Sequence, residues 1–168
     1  MQNFKTSPRH IIIQGILLIS LIFFTLQNRN LDGVMRMPIL LIVDAIAVSF
    51  FLSSIIRRVT LSDSIITVKT FFRTSSVSLD SIEYVQGLSA LARWVIILND
   101  GKHTVIMTSL INGLDKIAEV IKQKLPEDEK DKLIAVTNKS IASKKRTYDL
   151  LLIVLTLIVW FGIARNIF

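Results

Sequence analysis

The sequence predicts a membrane α-helical protein with three transmembrane helices and a cytoplasmic, mainly-β domain that a helix closes at its C-terminal end. Apolar residue types make up 51% of the 168 residues, and the mean hydropathy is +0.56. These values are high for a soluble domain of this size. Three apolar stretches are long enough for a bilayer core about 30 Å thick, which a helix crosses in roughly 17 to 25 residues. The long segment between the second and third stretches has the pattern of short strands.

The predicted spans occupy residues 11–27, 38–56 and 148–168. Because few residues separate the first two spans, we expect them to form a helical hairpin. A cleaved signal peptide is the alternative for the first stretch, but its long apolar run carries Gln14 and no small-residue cleavage pattern follows it. A retained anchor is therefore favoured. The second span opens at Pro38, a residue that suits the first turn of a helix.

The orientation of these spans follows from Lys and Arg, which favour the cytoplasmic side of a membrane. One side carries most of these cations: Lys5, Arg9, Arg57, Arg58, Lys139, Lys144, Lys145 and Arg146. The other side carries only Arg29, Arg36 and Arg165. We therefore expect a multi-pass protein of a bacterial inner membrane, with the N-terminus and the middle domain in the cytoplasm and the C-terminus outside.

Two further features agree with this placement. Tyr148 and Trp160 lie at the two ends of the third span, where aromatic rings suit the two interfaces, and the absence of cysteine fits a reducing compartment. The formal net charge of +7 then reflects orientation and attraction to anionic lipid. We expect membrane lipids as partners and no nucleic acid.

Residues 57–126 form the soluble segment, predicted to contain short strands and then one helix. The strongest strand signal is "RWVIILNDGKHTVIMT", in which Asn99, Asp100 and Gly101 tolerate the positive φ of a hairpin turn between two β-branched runs. After it, the period changes to that of a helix, with Leu114, Ile117, Ile121 and Leu125 on one face. Asn112 and Asp115 can cap the start of this helix, and Pro126 ends it.

The stretch "LSDSIITVKTFFRTSSVSLDSIEYV", followed by a Gly-containing hairpin and an amphipathic helix, resembles the bacterial pleckstrin-homology-like domain of small membrane proteins. The resemblance covers residues 57–126 and implies a bent antiparallel barrel with one end closed by the helix, a fold used for binding, scaffolding and assembly. Two departures stand out. Where the phosphoinositide-binding eukaryotic version clusters Lys and Arg on its first hairpin, the turn "SDS" here has an acid and no base, and the third span is an addition to the plan.

Catalysis is not expected. The chain has two histidines, His10 at a membrane edge and His103 in a hairpin strand, and no cysteine, so metal-ligand clusters are not evident. No "GxSxG" elbow and no Gly-rich phosphate loop are present. Intramembrane aspartyl proteolysis needs two carboxylates, whereas Asp44 is the one acid placed well inside a predicted span. We therefore predict no catalytic, cofactor or metal site.

Asp44 is the principal candidate site residue. It lies roughly 9 Å inside the second span at about 1.5 Å per residue, and Ser20 and Thr156 lie at the same depth on the other spans. Three roles fit the sequence: a neutral Asp44 that hydrogen-bonds these hydroxyls or a backbone carbonyl, a contact with another subunit, or part of a proton or ion path.

The remaining candidates lie outside the spans. A set of cations that flanks them is predicted to bind lipid headgroups or to act only as a topology signal: Arg57, Arg58, Lys144, Lys145 and Arg146. Trp94 is predicted to be core or the barrel end, with partner binding as the alternative. Residues 127–147 are predicted as a charged linker, and residues 148–168 as the third transmembrane helix.

The sequence thus predicts a non-enzymatic integral membrane scaffold or accessory subunit. It would assemble with other membrane proteins, or with copies of itself as an oligomer, through its helices and its pleckstrin-homology-like domain. Two alternatives fit the same features: a membrane module that senses anionic lipid, and a minor component of an ion or proton transporter.

Overall fold

The computed structural model describes residues 1–28, 36–90 and 92–167, so Arg29, one of the cations used above for orientation, lies outside the described residues. The chain divides into two compact units. The sheet unit consists of Met1–Ser7 and Ile56–Tyr148, and the helical unit consists of Pro8–Ile55 and the chain from Asp149 onward.

The sheet unit contains two small antiparallel sheets. The first has four strands in sequence order: β1 (Gln2–Lys5), β2 (Arg58–Leu61), β3 (Ile65–Lys69) and β4 (Thr74–Ser78). The second has three: β5 (Tyr84–Ala90), β6 (Arg93–Asn99) and β7 (Thr104–Thr108). Buried and partly exposed residues alternate along β6, which is the period-two pattern of a strand with one face on a core. The predicted hairpin is confirmed, because β6 pairs with β7 and Gly101 between them has a φ of 80°.

The helix predicted after the hairpin is also confirmed, as α3 (Leu114–Lys124). Its apolar face packs into the core shared with the sheets, and Ile117 and Ile121 are fully buried. Its cap differs from the prediction. Gly113, at a φ of 79°, takes the N-cap position without a side-chain hydrogen bond, and Asn112 instead accepts a hydrogen bond from Lys145 Nζ at 2.6 Å.

The sheet unit is larger than the predicted segment. Strand β1 was not predicted because "QNFK" is short and polar, yet it pairs with the free edge of β2. A short helix α4 (Glu127–Lys130) and a 3-10 turn (Asp131–Leu133) follow α3. Residues 127–147 therefore do not form a separate linker, since Leu133, Val136 and Ile141 are buried in the core. Their apolar side chains are spaced too irregularly among charged residues to be recognised as a core face.

The helical unit contains α1 (Pro8–Gln27), α2 (Arg36–Ile56) and the greater part of α5 (Asn138–Ile167). Three helices of the described chain are long and apolar enough to cross a membrane. Each begins before the predicted span, because helical hydrogen bonding continues into the polar flanks where hydropathy falls. Contacts of α1 join it to both neighbours: the Phe23 and Trp160 rings stack with centroids 6.3 Å apart, and Gly15 of α1 lies beside the Phe51 ring of α2.

Candidate functional site

Asp44 lies in the interior of α2, where it is half-buried. None of the residues in the most apolar stretch of α2 is buried, so most of its side chains face outward. The Oδ1 atom of Asp44 is an exception, because it is enclosed and has no hydrogen-bond partner among the described residues. A buried carboxyl oxygen without a partner loses its hydration and gains nothing in return.

The two hydroxyls predicted to lie near Asp44 use their protons within their own helices. Ser20 Oγ donates to the Ile16 carbonyl oxygen at 2.8 Å, and Thr156 Oγ1 donates to the Leu152 carbonyl oxygen at 2.8 Å. Both side chains are buried. Because each hydroxyl has one proton, neither has a second proton to donate to Asp44 while these bonds persist.

A second buried carboxylate, which the sequence analysis did not single out, lies at the other end of the apolar helices. Asp149 of α5 is 1% exposed, and its Oδ2 lies 3.1 Å from Arg9 Nε. Its Oδ1 lies 3.3 Å from Nδ1 of His10, whose side chain is fully buried. The sequence contains a signal for this cluster, since Arg9 and His10 directly precede one apolar run and Asp149 directly precedes another.

The two carboxyl groups therefore differ in whether the chain supplies them with hydrogen-bonding or charged partners. Asp149 has a cation and an imidazole as partners, which join α1 to α5 at the start of their apolar stretches. Asp44 Oδ1 has none among the described residues. The chain thus supplies partners to the first carboxyl group, whereas it leaves one oxygen of the second without a hydrogen-bond donor among the described residues.

The cation predicted at the end of the second span, Arg57, is half-buried in the sheet unit. Its Nη1 donates to Thr108 Oγ1 at 3.3 Å, and its Nε is buried without an acceptor among the described residues. Burial lowers the pKa of Arg57. Burial and the neighbouring Arg57 charge lower the pKa of Arg93 to about 10, and the Arg93 guanidinium lies 3.7 Å from the centre of the Tyr148 ring.

The other predicted site residues are dispersed over the sheet unit. Arg58 and Arg146 are exposed, Lys144 is half-buried, and Lys145 bonds Asn112. Trp94 is 8% exposed and belongs to the core. Its indole Nε1 is buried without an acceptor among the described residues, so little of its ring is available to a partner.

Within the described ranges, no group of three or more His, Cys, Asp or Glu side chains is placed to hold a metal ion. Comparison with known proteins gives no match to a family model, to a curated protein or to a solved structure. The resemblance to the bacterial pleckstrin-homology-like domain therefore stays an expectation from the sequence, and the residues described above are the basis for a functional proposal.

Proposed function

We propose that this protein is a non-enzymatic integral membrane scaffold or accessory subunit that assembles through α2, with Asp44 as its intramembrane contact. Two observations support the proposal: none of the side chains in the most apolar stretch of α2 is buried, and the Oδ1 atom of Asp44 has no hydrogen-bond partner among the described residues. The assembly partner is another membrane protein subunit or a second copy of this chain.

Membrane placement rests on three helices of sufficient length and hydropathy and on the distribution of cations in the sequence. We infer a multi-pass protein of a bacterial inner membrane, with the N-terminus and the sheet unit in the cytoplasm and the C-terminus outside. In this placement Asp44 lies within the hydrocarbon core.

The energetic argument concerns the cost of a carboxylate at that depth. Insertion of Asp at the centre of a transmembrane helix costs about 2.5 to 3.5 kcal/mol, and an interhelical hydrogen bond recovers about 1 to 2 kcal/mol. Ser20 and Thr156 donate elsewhere, so neither hydroxyl supplies this hydrogen bond, and we propose that another subunit does. Asp149, in contrast, has Arg9 and His10 beside it within the chain.

The sheet unit has edge strands that a partner strand could extend, although backbone hydrogen bonds from Asn112 to Lys5 and from Ser7 to Leu110 cover one end of β1. The outer strands of the two sheets are β1 and β4, and β5 and β7, and such edges pair readily with added strands. Two antiparallel sheets followed by the amphipathic α3 are consistent with a pleckstrin-homology-like barrel, and we propose this domain type for the sheet unit.

The test uses three variants of the tagged full chain. Each is expressed in the native organism and extracted from its membranes in mild detergent. Asp44→Leu removes the polar group, and Asp44→Asn keeps a hydrogen-bonding side chain. Ser53→Leu is the matched control, because nine residues at about 100° each place it on the opposite face of α2. Co-purifying chains are then quantified by mass spectrometry.

We expect Asp44→Leu to reduce the co-purifying chain about tenfold, since one hydrogen bond of about 1 to 2 kcal/mol has this effect on an equilibrium. Asp44→Asn should retain part of the association, and Ser53→Leu should match the wild type. Undiminished association of Asp44→Leu would show that Asp44 is not a subunit contact.

A further inference from the structure

A row of three cations crosses the outer face of the first sheet. Lys5 of β1 pairs directly with Arg58 of β2, which pairs directly with Lys69 of β3. All three side chains are exposed, and residues directly opposite each other on adjacent strands share a face. Like charges in such positions repel, and none of the three takes part in an ion pair within the described chain.

The next row of the same face shows that this charge is not a general property of the sheet. Its residues are neutral and hydrogen-bonded across the strands: Thr60 Oγ1 donates to Asn3 Oδ1 at 2.8 Å, and the hydroxyls of Thr67 and Ser76 lie 2.8 Å apart. The cations are therefore confined to the row at one end of the strands.

The β3–β4 turn continues from that row and presents two aromatic rings. Phe72 is 81% exposed and Phe71 is 44% exposed, and the two rings meet edge to face with centroids 4.9 Å apart. The turn is fixed by its own hydrogen bonds, including Thr70 N–H to the Arg73 carbonyl oxygen at 2.8 Å. Large aromatic groups exposed together in this way mark a surface that contacts something apolar.

Two of the three cations are close in sequence to the ends of apolar helices. Lys5 lies three residues before Pro8, where α1 begins, and Arg58 lies two residues after Ile56, where α2 ends. Because a chain spans at most about 3.5 Å per residue, both cations are within about 10 Å of a helix end. Lys69 is the direct strand partner of Arg58, so the aromatic turn begins at the same end of the sheet.

We propose that this end of the sheet binds an anionic membrane leaflet, with the row of Lys5, Arg58 and Lys69 on the lipid phosphates and Phe71 and Phe72 in the apolar part of the interface. Anionic headgroups would relieve the repulsion within the row, and the amphipathic interface suits aromatic rings next to cations. This inference rests on the membrane placement in the proposed function, but not on Asp44 as a contact.

The chain has no cysteine, which allows single spin labels in the full-length protein. Phe72→Cys places a label on the aromatic turn. Asp63→Cys is the matched control, because the β2–β3 turn lies at the opposite end of the same strands. Each labelled protein is placed in nanodiscs of phosphatidylcholine with phosphatidylglycerol, and label depth is measured from collisions with oxygen and with a water-soluble nickel chelate.

We expect the label at position 72 to be immersed and the label at position 63 to be in water. Combining Lys5→Gln, Arg58→Gln and Lys69→Gln, or using phosphatidylcholine alone, should move the label at position 72 toward water. A water-exposed label at position 72 in the otherwise wild-type protein overturns this inference but leaves the membrane placement standing. The same result is expected if the turn instead binds an acidic protein. Immersion that is insensitive to charge overturns the role of the cation row. Failure of the chain to enter nanodiscs overturns this inference together with the membrane placement.

Discussion

The carboxylate of Asp149 lies 3.3 Å from the imidazole Nδ1 of His10, although 139 residues separate the two in sequence. Arg9 completes the cluster, with its Nε 3.1 Å from Asp149 Oδ2. Because Asp149 and His10 are both buried, this cluster ties α1 to α5 within the helical unit. It also provides a comparison for Asp44, because it shows a buried acidic side chain of this protein with a cation and an imidazole as partners.

Replacement of Asp149 should therefore destabilise the helical unit. Removing the Asp149 carboxyl takes away the partner of the buried His10 Nδ1, and the loss of a buried hydrogen-bond partner costs about 1 to 3 kcal/mol. Arg9 is largely exposed, so water replaces its partner and its contribution is small. Asp149→Ala should lower the thermal midpoint in detergent clearly. Asp149→Asn, which keeps a hydrogen-bonding group, should lower it less. Equal midpoints for Asp149→Ala and the wild type would contradict the role of this cluster.

Asp100 should make the sheet unit sensitive to acid. Hydrogen bonds from the backbone N–H groups of His103, Ser78 and Lys102 lower the pKa of Asp100. Its folded-state pKa is thus below its unfolded-state value, so its contribution to stability is complete above about pH 4 and is lost as the pH falls through the lowered pKa. Acid titrations followed by circular dichroism should show Asp100→Ala less stable than the wild type at neutral pH, with the difference shrinking in acid.

The control for this pH dependence is Asp63→Ala, in the exposed turn between β2 and β3. It should follow the wild-type titration. A difference between Asp100→Ala and the wild type that stays constant as the pH falls would show that ionisation of this carboxyl is not the cause.

The substitution Gly87→Ala tests how the segment that follows α4 packs against β5. A Cβ atom at this position would lie 2.8 Å from the Lys132 carbonyl oxygen and 3.0 Å from Val136 Cγ2. Gly87→Ala should therefore push this segment off β5 and cost about 1 to 3 kcal/mol, the usual cost of overpacking. Gly15→Ala is the control, since its Cβ would meet the Phe51 ring at an ordinary 3.5 Å. Chemical denaturation in detergent compares the two, and equal stabilities would contradict the packing described.

Local signals in the sequence were sufficient for several elements. The three apolar helices follow from long, mostly apolar runs, the β6–β7 hairpin follows from Asn99 to Gly101, and α3 follows from the spacing of its apolar residues. Each of these patterns is complete within one short stretch of chain. The position of Asp44 inside α2 was visible for the same reason.

Other features depend on residues far apart in sequence and could not be read from a local pattern. Strand β1 exists because β2 offers it an edge, and Leu133 is core because Gly87 leaves room for the backbone beside it. The pairing of Asp149 with His10 and Arg9 joins the two ends of the chain. Each of these residues is visible in the sequence, but only the folded structure shows which of them contact each other.

The central claim is that α2 assembles with another subunit through Asp44, and the native mass of the extracted particle tests it most directly. The protein is taken from its own membranes in mild detergent and measured by native mass spectrometry, with every co-migrating chain identified. We predict a particle heavier than one 19.0 kDa chain, which Asp44→Leu reduces to the single chain while Ser53→Leu leaves it intact. A wild-type particle that consists of a single copy of this chain and no other protein would contradict the account.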